Sequence, residues 1–157
     1  MQKIRPCLWF DTEGEEAAKF YTSIFPNSKI VEVTRYGTAG PRAEGTVMTV
    51  TFELDGEQFV ALNGGPNLTF NEAISLEVDC ESQEEVDRYW DALTDGGEAG
   101  PCGWLKDRFG VSWQITPTVL YELIADPDRE KSQRVMAAML KMGKIEIAEL
   151  EHAAAAA

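Results

Sequence analysis

Histidine is nearly missing from this sequence: the one copy among 157 residues, His152, lies in the closing stretch LEHAAAAA. That scarcity removes Ser/His and Cys/His catalytic pairs and every histidine-based metal site from the body of the chain. Cysteine is scarce as well. Cys7, Cys80 and Cys102 are odd in number and widely spaced, so they form neither a disulfide framework nor a CxxC metal pair and are expected as reduced thiols. Basic residues number 14 against 27 acidic ones, a net charge of −13. Such a surface repels phosphate backbones, and no basic stripe offsets it, which argues against a nucleic-acid partner. No apolar run approaches the roughly 18 residues of a membrane span. The opening MQKIRPCLWFD enters a strand-like pattern without a secretory apolar stretch, so a cytoplasmic protein with no membrane partner is expected. The glycines of GGEAGPCG are not a G-x-G-x-x-G after a strand, and no nucleotide cofactor is indicated.

What the chain does contain is an internal repeat. EEAAKFY (15–21) matches EEVDRYW (84–90), and each follows a short strand-like run closing on aspartate, CLWFD (7–11) and SLEVD (75–79). Ala17, Ala18, Tyr21, Ile24 and Phe25 share one helical face, stopped by Pro26-Asn27. Val86, Tyr89, Trp90 and Leu93 repeat that spacing, with Ser82 and Glu85 as a cap pair and Gly96-Gly97 as the stop. KIVEVTRY, TVMTVTFEL and EQFVAL read as strands, the last two joined by an Asp55-Gly56 turn. The stretch 97–103, WLKD and VSWQITP repeat the scheme in shortened form.

The expected organisation is therefore one α+β domain over 1–150. Its unit one covers about 4–66, unit two about 70–117 and a helical extension about 118–150, with 151–157 a tail or the remnant of an expression tag. In the extension Asp126 is the expected cap, Pro127 the first helical residue and Gly143 the stop. The stripe Val135, Met136, Met139, Leu140 and Met142 is either core or subunit interface.

Alternation along the strands assigns Leu8, Phe10, Val50, Phe52, Ile74, Leu76, Val78, Trp113 and Ile115 to the helix-packed face. Arg5, Cys7, Trp9, Thr49, Thr51, Glu53, Gln58, Ser75, Glu77, Ser112 and Gln114 fall on the opposite face. That polar face is either wetted surface or the wall of a pocket. Glu53 and Glu77 are its carboxylates and the candidates for acid–base work. Arg5 is a partner for those acids or for a ligand carboxylate. Trp9 and Trp104, aromatic on a polar parity, suit ligand stacking or subunit contact. Cys102 is either an inert thiol or a nucleophile whose nearest base in sequence is Lys106.

Two β-α-β-β-β units carrying PCLWFD…EEAAKFYTSIFP, LNGGP and DRFGVSWQI resemble the vicinal oxygen chelate superfamily of glyoxalase, bleomycin resistance protein and extradiol dioxygenase relatives. They resemble in particular its PhnB-like branch, often labelled 3-demethylubiquinone-9 3-methyltransferase. The resemblance spans about 4–150. It implies two sheets curled into a half-open barrel with helices outside, C-terminal helices appended, and homodimers. It also implies four inward metal-binding positions, which fall here on Arg5 or Pro6, Val60, Ala73 and Gln114. An arginine or proline, a valine and an alanine offer a divalent ion no side-chain lone pair, so no metal and no cofactor are expected. The expected function is binding of a small amphipathic or cationic molecule in a concave cleft, with Arg5, Trp9, Gln58, Cys102, Trp104 and Gln114 as contacts. The alternative is a glyoxalase-like lyase, isomerase or group-transfer enzyme with Glu53 or Glu77 as general base.

Overall fold

Strand β1 (Cys7–Phe10) runs parallel to a later strand of its own unit, and that pairing organises everything up to residue 70. After β1 come α1 (Gly14–Ile24), β2 (Lys29–Arg35), β3 (Val47–Leu54) and β4 (Glu57–Asn63). The sheet order is β1-β4-β3-β2, with β1 parallel to β4 and the other pairs antiparallel. The structure is a computed structural model describing residues 2–156. It divides into two compact units, Met1–Phe70 and Asn71–Ala157.

The second unit repeats the plan with β5 (Ser75–Cys80), α2 (Gln83–Thr94), β6 (Glu98–Ala99), β7 (Trp104–Lys106) and β8 (Ser112–Pro117), in the order β5-β8-β7-β6. Again the outer pair, β5 with β8, is parallel. Neither four-stranded sheet closes on itself. The fold is thus α+β with the expected doubled unit, to which α3 (Thr118–Ile124), α4 (Arg129–Met139) and α5 (Ile147–Ala155) are added.

Each helix covers the apolar parity of its sheet. Ala17, Ala18 and Tyr21 of α1 are buried with Val50 and Phe52, and Val86, Tyr89, Trp90 and Leu93 of α2 with Trp113 and Ile115. The α2 start is as expected: Ser82 Oγ accepts from Glu85 N at 3.2 Å, while the Glu85 carboxyl reaches back to Glu81 N. The β3–β4 hairpin turns through Asp55 (φ 49°) and Gly56 (φ 84°), the paired left-handed conformations that a two-residue hairpin requires.

The start of α1 is held from a distance. Its cap residue Glu13 makes no side-chain cap bond; instead Gly14 N donates to Asn63 Oδ1 at 2.8 Å. Asn63 Nδ2 donates to Thr12 O and Val47 O, and its carbonyl accepts from the Tyr36 hydroxyl at 2.6 Å. A Cβ on Gly14 would lie 2.6 Å from that amide oxygen, so only glycine permits the approach.

In unit two a buried carboxylate, Asp107, holds the turn between β7 and β8. Its Oδ1 accepts from Phe109 N and Val111 N, and its Oδ2 accepts from Trp113 Nε1 at 2.8 Å, all at 3% exposure. Gly110, at φ 88°, completes the turn.

Two details depart from the sequence reading. The α4 cap is Asp128, which accepts from Glu130 N and Lys131 N; Asp126 instead accepts from Asp128 N and pairs with Lys131 at 2.7 Å. Ile74 precedes β5 and is 76% exposed, because the ladder with β8 begins only at Ser75. Of the two settings expected for the methionine stripe, the structure has core: Leu120, Val135, Met142, Ile145 and Leu150 form a small cluster with Met139 against it, leaving Leu140 outside. Residues 151–155 continue α5, and Arg134 donates to the carbonyls of Ala153 and Ala154. No helix among the described residues is long and apolar enough to cross a membrane.

Replacing Asp107 by alanine strands two backbone donors and an indole donor in the interior. A loss of about 3 kcal/mol is expected, read as a urea midpoint lowered by about 1–2 M, with D107N losing less because its remaining carbonyl oxygen still accepts. A second expectation concerns the thiols. Cys80 is fully buried, and burial, aided by Glu85 and Asp79, pushes its thiol up to about 12, so the reactive thiolate is scarce at pH 8. Alkylation of native protein followed by peptide mass spectrometry should leave Cys80 unmodified until denaturant is added.

Candidate functional site

With one face of each sheet committed to a helix, the other faces carry the candidate chemistry, and the strand registers arrange it in rows. In unit one, Arg5 donates to Gln58 Oε1 at 3.0 Å; Gln58 lies opposite Glu53, and Glu53 opposite Lys29, which approaches its carboxyl at 3.7 Å. A second row runs Cys7, Val60, Thr51 and Glu32, and a third Trp9, Leu62, Thr49 and Thr34. In unit two the rows are Ser75, Ser112, Lys106 and Glu98, then Glu77, Gln114 and Trp104.

These registers decide what each expected site residue touches. Arg5 and Gln58 hold each other, and Glu53 holds Lys29. Trp9 donates its indole N–H to Gly65 O at 2.9 Å, and its ring lies where any Cβ on Gly64 would sit, so the LNGGP loop covers it. Gln114 shares a row with Trp104 and Glu77, and its Nε2 donates to Ser75 Oγ at 2.9 Å. Glu77 is open to solvent, and Trp104 is half-buried. Cys102 is half-buried in a left-handed turn (φ 56°), its N–H donating to Met142 O.

Unit two also contains a hollow of about 420 Å³ walled by Glu72, Glu98, Pro101, Trp104, Lys106 and Ser112 among others. Lys106 Nζ stands 3.0 Å from the Glu72 carboxyl and holds that group below the usual carboxylate range through a hydrogen bond. Ser112 is 1% exposed, and among the described residues its Oγ has no hydrogen-bond partner. Of these residues the sequence marks Trp104 as a site residue and Ser112 only as a member of the polar face. Glu72 lies in the loop before β5, where no periodicity operates, and Glu98 belongs to a two-residue strand too short to show a parity. A hollow in unit one, beside Thr12, Glu15, Arg42 and Asn63, is lined by groups already engaged: Arg42 by Asp11 at 3.4 Å and Asn63 by its four bonds.

The positions that the vicinal oxygen chelate resemblance assigns to a divalent ion do not fit one. Arg5 presents a cation, Val60 and Ala73 present hydrocarbon, and Gln114 points its amide nitrogen at Ser75. Among the described residues no group of three or more His, Cys, Asp or Glu could hold a metal.

Comparison with known proteins places this arrangement. The family described as 3-demethylubiquinone-9 3-methyltransferase matches residues 2–116. The PhnB protein from Bacillus cereus is 41% identical over 74% of this chain and all of its own, with a TM-score of 0.67. PA1353 from Pseudomonas aeruginosa, at 20% identity, shares the fold over 74% of this chain and 98% of its own, with a TM-score of 0.63. FosX, the fosfomycin resistance protein of Listeria monocytogenes, does so at 17% identity over 78% and 97%, with a TM-score of 0.52. None of the curated proteins matches. Two repeated β-α-β-β-β units, each with a parallel outer pair, together with the match over 2–116 and the 41% identity to the PhnB protein, make this chain a member of the PhnB-like 3-demethylubiquinone-9 3-methyltransferase family.

Proposed function

We propose that the protein binds a small amphipathic or cationic molecule on the polar face of its second unit, without a metal, and that it works as a homodimer. The observation that carries the reading is the hollow itself, in which one aromatic wall, Trp104, stands among two carboxylates, Glu72 and Glu98, and a single ammonium, Lys106. An indole face attracts both flat apolar bodies and cations. The local excess of one negative charge, inside a chain of net charge −13, raises the concentration of cations at its surface.

General-base catalysis receives less support. A base at neutral pH is made by desolvating a carboxylate, whereas Glu77 is open to water and Glu53 is held by Lys29.

A thermal-shift screen with aromatic amines, neutral aromatics and aromatic acids tests the reading. A cationic or amphipathic hit present at about 100 times its Kd should raise Tm by about 5–10 °C, and W104A should weaken it by about tenfold. Hits confined to acids, or indifferent to W104A, would sink it. Light scattering should give twice the 17.4 kDa chain mass; a monomer removes the dimer.

A further inference from the structure

Ser112 opens β8, and its buried hydroxyl is left without a partner, an arrangement uncommon in folded interiors and one that folding by itself does not reward. It lines the same hollow as Lys106, its cross-strand neighbour, and Lys106 is in turn the cross-strand neighbour of Glu98. Lys106 therefore sits between two carboxylates and holds only one. Glu72 has it at 3.0 Å, while Glu98 makes no ion pair among the described residues. Both members of the existing pair are substantially exposed, Lys106 at 43% and Glu72 at 66% of their side chains. An exposed ion pair of this kind is worth little, and exchanging one carboxylate for the other is easy.

We propose that the Glu72–Lys106 pair is a latch opened by a planar organic cation of the amidinium type. The cation donates one N–H to the Glu72 carboxylate and another to Ser112 Oγ and lays its flat body on Trp104, while Lys106 swings across its strand to Glu98. This rests on the small-molecule reading above and adds the ligand's chemical class and the displacement that admits it. Charge bookkeeping selects the class: two carboxylates and one ammonium leave a single negative charge, which a monocation neutralises. An anion would have to oust Glu72 from Lys106 and leave both carboxylates unpaired in an already acidic protein. A neutral molecule has no charge with which to displace Lys106. A planar fork of N–H donors can serve a carboxylate and a hydroxyl that line one hollow, and about 420 Å³ lies at the small end of the range for small-molecule sites.

The test is calorimetric titration of the whole chain with benzamidinium, using benzamide and benzoate as neutral and anionic analogues of the same shape. Benzamidinium alone should bind. E72Q should weaken it by about tenfold or more and S112A by about fivefold. E98Q, which leaves the ligand's own contacts intact but removes the ammonium's second berth, should weaken it by about twofold, and K106M should tighten it by at least about twofold. Glu72 is too exposed for E72Q to act through misfolding. No binding of benzamidinium, tighter binding of benzoate, or loss of binding in K106M overturns the latch. If benzamidinium ignores E72Q and S112A while other compounds still bind through Trp104, the latch falls and the small-molecule reading stands. If no compound depends on Trp104, both fall.

Discussion

The polar face of the second unit depends on one buried carboxyl group. Asp107 takes two backbone N–H groups of the 107–111 turn on one oxygen and the Trp113 indole N–H on the other. The turn therefore has one low-energy shape, and Trp113 is fixed on the helix side of β8. Because side chains alternate strictly along a strand, a one-residue slip would carry Ser112 and Gln114 into the core and Trp113 out of it. The Asp107 bonds exclude that slip. The same register sets Ser112 beside Lys106 and Gln114 beside Trp104, so the hollow exists as a consequence of the turn.

In unit one a buried neutral group holds a junction of another kind. Asn63, at the end of β4, uses its amide to hold the Gly14 N–H, the Thr12 carbonyl and the Val47 carbonyl at once. An amide can both donate and accept, which is what a junction of two loops and a helix start demands; a carboxylate could not serve the two carbonyls. In both units a buried polar side chain with all its bonds made specifies the geometry. The two groups do not occupy repeat-related places, since Asn63 ends β4, the counterpart of β8, whereas Asp107 lies in the turn between β7 and β8.

Much of the fold was legible because local rules govern it. The helix faces, the Ser82 cap, the Asp55-Gly56 hairpin and the division of strand residues between core and polar faces all follow from periodicity or turn chemistry, and the structure has them. Local rules also produced the misplacements. Asp126 and Asp128 are both competent caps two residues apart, and the helix start was decided by which one met the free N–H groups. Ile74 continues an alternating pattern past the point where its strand has a partner. The methionine stripe announced a buried face without saying what buries it, and α3 and α5 answer within the unit.

The candidate site divides along the same line. The sequence by itself determined the doubled β-α-β-β-β plan, the acidic balance, and the parity that puts Trp104, Ser112 and Gln114 on one face, since each is a property of composition or of spacing along the chain. Only the tertiary structure decided that Arg5 answers Gln58, that Lys29 answers Glu53, that Gly65 satisfies Trp9, and that Glu72 and Glu98 flank the same lysine. Those pairings join residues tens of positions apart or from a loop without periodicity, and they form only when strand register and loop closure bring the groups within hydrogen-bonding distance.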